Sequence, residues 1–199
     1  MRKTIDYYMT PTSPWAYFGH ERFTALAALH GAHVNLKPVD YGRIFAATGG
    51  LPLAKRAPAR VAYRAVELKR WQEFLGIPLN PAPRYFPVSG DPSALLVIAA
   101  DQRDLGAMAL AFALCRACWV QERDLADPGT LAQIANEQGR RGSELLAASQ
   151  LPQTKALYDE YTQEAIGLGV FGAPFYVHRG ELFWGQDRLD FLDRALARP

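Results

Sequence analysis

With 199 residues, 49% of them hydrophobic and 21% charged, the chain has the balance of a globular protein large enough to bury a core, which excludes a disordered segment. Its formal charge of +2 is too small to point to nucleic acid or a membrane surface as a partner. No stretch approaches the roughly 20 uninterrupted apolar residues of a membrane span; the start, MRKTIDYYMT, meets an acid at Asp6 without an apolar signal core, and two cysteines make no disulfide framework, so a cytoplasmic protein is expected.

Residues 4–9 (TIDYYM) combine β-branched and aromatic side chains and predict a short strand. The turn TPTSP follows, then a helical pattern over 15–30 and an alternating second strand over 33–39. This βαβ opening requires the first two strands to be parallel. Residues 60–75 place Val61, Leu68, Trp71 and Leu75 among basic residues, an amphipathic helix closed by Gly76 and Pro78. A proline-rich connector covers 77–88, and helical periodicity resumes over 92–120. Further helices are expected near 128–138, 143–149 and 151–168. Residues 175–178 and 182–184 flank the turn Arg179-Gly180 as a hairpin, and a last helix over 187–196 has Asp187 as its expected cap. The order βαβ, helices, ββα predicts an α/β protein: a thioredoxin fold, from residues 1–42 plus 169–199, interrupted by an all-helical insertion over 43–168. Its two chain ends must meet in one sheet.

Three segments carry candidate chemistry. Ser13-Pro14-Trp15-Ala16 sits where the first strand enters the first helix, whose unpaired N–H groups and partial positive charge stabilise an anion such as a thiolate. Thioredoxins place a C-x-x-C there; here serine and alanine replace the two cysteines, so dithiol exchange is unavailable at this site, and the Ser13 hydroxyl can instead donate to a sulfur anion brought by another molecule. The plainer reading is that Ser13 caps the helix and Pro14 fills its first turn. In the second segment, GVFGAPF, a cis Ala173-Pro174 bond would set the backbone of Ala173 opposite Ser13, ready to pair with an extended peptide-like ligand; the plainer reading is an edge-strand proline. In the third, FWGQDRL, Gln186 and Asp187 open the last helix, where helix N–H groups suit a carboxylate and Asp187 an ammonium; the plainer reading is a cap beside an Arg188 surface pair.

Together these segments resemble the glutathione-using branch of the thioredoxin superfamily, the 2-hydroxychromene-2-carboxylate isomerases and kappa-class glutathione transferases. The resemblance runs through SPWAY (13–17), TGGLP (48–52), the 63–75 helix with GIPL after it, RYFP (84–87), GVFGAP (169–174) and ELFWGQDRL (181–189). It implies a glutathione-dependent isomerase acting on an aromatic carboxylate, with Ser13 as the catalytic donor to the glutathione thiolate. It also implies Ala173 and Pro174 as the cis-proline loop, Gln186 and Asp187 as the γ-glutamyl-binding pair, and Arg60 as the partner of the glycine carboxylate. A homodimer is common in the family. The kappa pattern has an asparagine near Leu51, and this chain has none there. A kappa-type transferase or reductase, and a non-catalytic thioredoxin-like binding module, are the alternatives.

The remaining features point to structure rather than chemistry. Cys115 and Cys118 form a C-x-x-C inside the apolar run LALAFALCRACWV, away from any helix start, and are expected to be buried and inert. The four histidines complete no metal cluster, so no metal is expected. Lys55, Arg56, Arg60, Arg64, Lys69 and Arg70 make a basic stretch, either a solvated helix face or a rim attracting carboxylates. Trp71, Tyr85, Phe86 and Trp119 are expected in the core rather than as a substrate platform.

Overall fold

The computed structural model describes residues 3–198. Strand β1 (Thr4–Met9) leads into helix α1 (Pro14–Leu29), and β2 (His33–Pro38) returns beside β1 in parallel, Tyr7 opposite Leu36. At the far end of the chain, β3 (Phe175–His178) pairs antiparallel with β1, Tyr7 opposite Tyr176, and β4 (Glu181–Trp184) closes the hairpin around Arg179 and Gly180. The strand order is β2-β1-β3-β4. Both chain ends therefore complete one sheet, as the thioredoxin plan requires.

The period-two alternation of β1 explains why the sheet is covered twice. Ile5, Tyr7 and Met9 enter the larger core, with Phe18 and Phe23 of α1, Tyr176, Phe183 and, from the closing helix α9 (Leu189–Ala197), Leu192 and Leu196. Tyr8 points the other way, into a smaller core with Val39, Ile44, Ala165, Phe175 and Val177. The second face is sealed by α2 (Tyr41–Thr48) and α8 (Pro152–Leu168). Between these lie α3 (Pro58–Leu75), α4 (Asp91–Asp101), α5 (Ala107–Trp119), α6 (Pro128–Glu137) and α7 (Gly142–Ser149). Leu68, Leu96, Leu110, Leu114, Trp119 and Leu131 from this excursion share the larger core with the strands.

Three local expectations change. Helix α2 has no counterpart in the sequence pattern, although Asp40 caps it by accepting from the Gly42 and Arg43 N–H groups and Gly49 ends it at φ 77°. The periodic run over 92–120 is two helices, because the chain reverses between them with Asp104 at φ 53° and Gly106 at φ 66°. Asp187 does not cap the last helix: residues Gln186–Arg188 form a 3-10 turn, and α9 begins at Leu189 with no side-chain cap. Among the described residues no helix is long and apolar enough to cross a membrane, and no group of three or more metal-ligating side chains is assembled.

Candidate active site

The mouth of α1 is built by its own cap. Ser13 adopts extended backbone angles, φ −90° and ψ 121°, and its Oγ accepts from the Ala16 N–H at 3.2 Å. The Tyr17 N–H is taken by the Ser13 carbonyl at 3.0 Å, and Pro14 has no N–H, so the Trp15 N–H is the donor of the first turn left open among the described residues. The Ser13 hydroxyl in turn donates to the Ala173 carbonyl at 3.4 Å. This contact is long enough to be weak, so little is lost when the hydroxyl turns to another acceptor.

Ala173-Pro174 is cis, as the sequence suggests, and the Pro174 carbonyl accepts from the Gly185 N–H at 2.9 Å. That bond ties the proline loop to the FWGQDRL segment. Gly185 sits at φ 94°, in the region that favours glycine. The Tyr41 hydroxyl donates to the Gly172 carbonyl at 2.9 Å and so fixes the loop from the side of α2.

A cleft of about 760 Å³ opens where these parts meet. Arg60, Ala173, Gln186 and Asp187 line it, while Ser13 borders it through its bond to Ala173 and its neighbour Trp15, itself in the wall. Pro174 shapes the loop without lining the cleft. Gln186 is buried, and its Oε1 accepts from Arg22 at 2.6 Å, so the side chain is held in place by a residue that no sequence motif singles out. The Asp187 carboxylate contacts the Arg188 guanidinium. Arg60 is exposed at the rim.

The cleft wall also takes in Arg64, one turn of α3 beyond Arg60, and Arg56 from the extended segment before that helix, together with Trp15, Trp71 and Phe171. Burial, and then the neighbouring Arg60, lowers the Arg56 guanidinium from its ordinary value; it donates to the Leu51 carbonyl at 2.8 Å. Trp71 packs against the core, as expected, and also lines the cleft, whereas Trp119 is fully buried. Cys115 and Cys118 are both buried in α5; burial pushes the Cys115 thiol strongly up and that of Cys118 to about 12, so neither offers a thiolate near neutral pH. The donor set suits an anionic, peptide-like ligand: an open helix N-terminus, a serine hydroxyl, arginines along one wall and loop backbone on the other.

This sheet order, with a cis-proline loop facing the start of the first helix, defines a thioredoxin-fold protein whose cysteine pair has been replaced. The chain belongs to the DSBA-like thioredoxin domain family, whose model matches residues 4–197. It is 28% identical to a 2-hydroxychromene-2-carboxylate isomerase of Sphingobium xenophagum, over 98% of this chain and 99% of that protein. It is 25% identical to glutathione S-transferase kappa 2 of Caenorhabditis elegans, over 100% of this chain and 93% of the relative. Among solved structures, a 2-hydroxychromene-2-carboxylate isomerase superposes with a TM-score of 0.83 at 26% identity, covering 98% of this chain and 95% of the other.

Proposed function

We infer that the protein is a glutathione-dependent isomerase that interconverts 2-hydroxychromene-2-carboxylate and trans-o-hydroxybenzylidenepyruvate, or close aromatic relatives. One observation carries this reading: the Ser13 hydroxyl at the mouth of α1, bonded to the carbonyl of the cis-proline loop beside an arginine-lined cleft. The name borne by one relative of nearly equal length supports an isomerase, and that of another supports a glutathione-using enzyme.

Glutathione, if held here, would supply a thiolate nucleophile for reversible addition to the conjugated substrate and be returned unchanged. The chain's own groups make that possible. Ser13 turns its hydroxyl from Ala173 to the sulfur, and the Trp15 N–H with the positive end of α1 favours the anionic over the neutral thiol. Ala173 offers backbone pairing to an extended peptide, and Arg60 at the rim receives a terminal carboxylate. Asp187, already beside Arg188, adds the negative charge an ammonium needs, and Gln186 supports that corner from within the fold. Ser13 acts as a donor and not as an acyl-transfer nucleophile, since no G-x-S-x-G turn surrounds it.

Titrating glutathione calorimetrically into wild type and Ser13→Ala, followed by an absorbance assay with the hydroxychromene acid, tests this. Wild type should bind glutathione and isomerise the acid without consuming it. Ser13→Ala should lower turnover by about a hundredfold, the cost of removing one donor to a developing anion. Stoichiometric release of a glutathione conjugate would instead mark a transferase, and wild type that binds no glutathione would leave only a thioredoxin-like binding module.

A further inference from the structure

Arg64 is an unusual arginine. It is half-buried on α3 within the cleft wall, its guanidinium carbon lying 5.6 Å from the ring centre of Phe86 and 5.9 Å from that of Trp119. Among the described residues no carboxylate lies within ion-pair distance of it. The nearby acid on its own helix, Glu67, is committed to Arg70 at 2.8 Å. Burial, and then the neighbouring charge of Arg56, lowers its guanidinium from the ordinary value to about 10. A charge that has lost part of its water and gained only ring contacts in return is a site prepared for an anion from outside. Arg60, four residues earlier, differs: it is exposed and keeps its hydration.

The same stripe of α3 continues to Trp71, seven residues on, and Trp15 lines the cleft beside the mouth of α1. A planar guanidinium presents a fork of donors that matches a carboxylate with two parallel hydrogen bonds. Flat aromatic surfaces near it suit a conjugated ring. We propose that Arg64 is the binding residue for the carboxylate of the second reactant, an aromatic acid whose ring takes the Trp15 and Trp71 side of the cleft. This assignment rests on the glutathione reading and gives the two arginines different partners. Arg60 meets the peptide at the rim, and Arg64 meets the acid that the peptide's sulfur attacks.

Binding of trans-cinnamate and of its neutral counterpart cinnamamide, followed by tryptophan fluorescence with and without glutathione, tests the division in wild type, R64Q and R64K. In R64Q, cinnamate affinity should fall about tenfold or more, as expected for loss of a charge-assisted pair, while cinnamamide and glutathione affinities hold. R64K keeps the charge but not the fork, should fall between the two, and guards against a folding defect of R64Q, which thermal unfolding monitors directly. Unchanged cinnamate binding in R64Q, an equal loss for cinnamamide, or a loss confined to glutathione would each overturn the assignment. If wild type ignores glutathione yet holds cinnamate through Arg64, the enzymatic reading fails and this residue's role survives. If wild type binds neither probe, both fall.

Discussion

His20 projects from α1 into the larger core, where its Nε2 lies 2.9 Å from the Met108 carbonyl and its Nδ1 lies 3.3 Å from the Tyr7 hydroxyl. A carbonyl can only accept, so Nε2 carries the proton and Nδ1 accepts from Tyr7, which defines a neutral ring. Burial pushes its pKa from 6.5 down to about 4. Above pH 6.5 the ring is neutral folded or unfolded, and stability does not depend on it. Between pH 6.5 and 4 the unfolded chain takes up a proton that the folded chain refuses, so stability falls with pH across that window and levels off below it. The loss from this one group approaches about 3 kcal/mol, and urea midpoints for wild type and His20→Gln at pH 7 and at pH 4.5 should diverge by a large part of it, the variant losing less. Ser13 offers the opposite lesson in legibility. The cap reading and the donor reading look like rivals when only the sequence is read, yet one oxygen leaves room for both: it accepts from Ala16 while its hydrogen points across to the Ala173 carbonyl. The hold of Arg22 on Gln186 joins residues 164 positions apart, and no local pattern announces it.

Elements with a strong period or a recognisable turn are readable: β1, α1, β2 and the β3–β4 hairpin lie where alternation, the proline start and the Arg-Gly turn put them. Helix α2 escapes because it spans only eight residues and buries only Ile44, so the spacing of Tyr41, Ile44, Phe45 and Thr48 repeats too few times to register. The break between α4 and α5 escapes for the reverse reason. Both helices are buried around most of their circumference, and their strong apolar character on either side overrides the short polar segment DQRDLG (101–106) that marks the reversal. The proline loop makes a prediction at this scale. A Cβ on Gly172 would lie 2.5 Å from Nε1 of Trp184, a cleft residue that is partly exposed and therefore able to move. Gly172→Ala should cost about 1 kcal/mol in thermal unfolding, at the low end of overpacking, and should weaken glutathione binding by displacing the indole from the wall. Full affinity in that variant, read by calorimetry, would mean that Trp184 does not shape the pocket.

The topology as a whole is legible because βαβ followed by ββα leaves few ways to build one sheet. How the helical excursion sits on that sheet is not, since it depends on contacts between segments far apart in sequence. Trp119, Leu110 and Leu131 pack in one contiguous hydrophobic cluster with Phe18, Tyr7 and Leu196. Unfolding followed by far-ultraviolet and near-ultraviolet circular dichroism should therefore give one transition with coincident midpoints; a plateau between two steps would mean that residues 43–168 hold together on their own. The pairing of β1 with β3, and of Ser13 with Ala173, has a further consequence for how the protein is made. On the ribosome, where folding proceeds from the N-terminus as the chain emerges, the first helix and two strands are exposed long before their partners are translated. The corner where Ser13 meets Ala173 cannot form until the closing segment has left the exit tunnel. A chain that stops before residues 171–188 thus carries only one wall of this cleft.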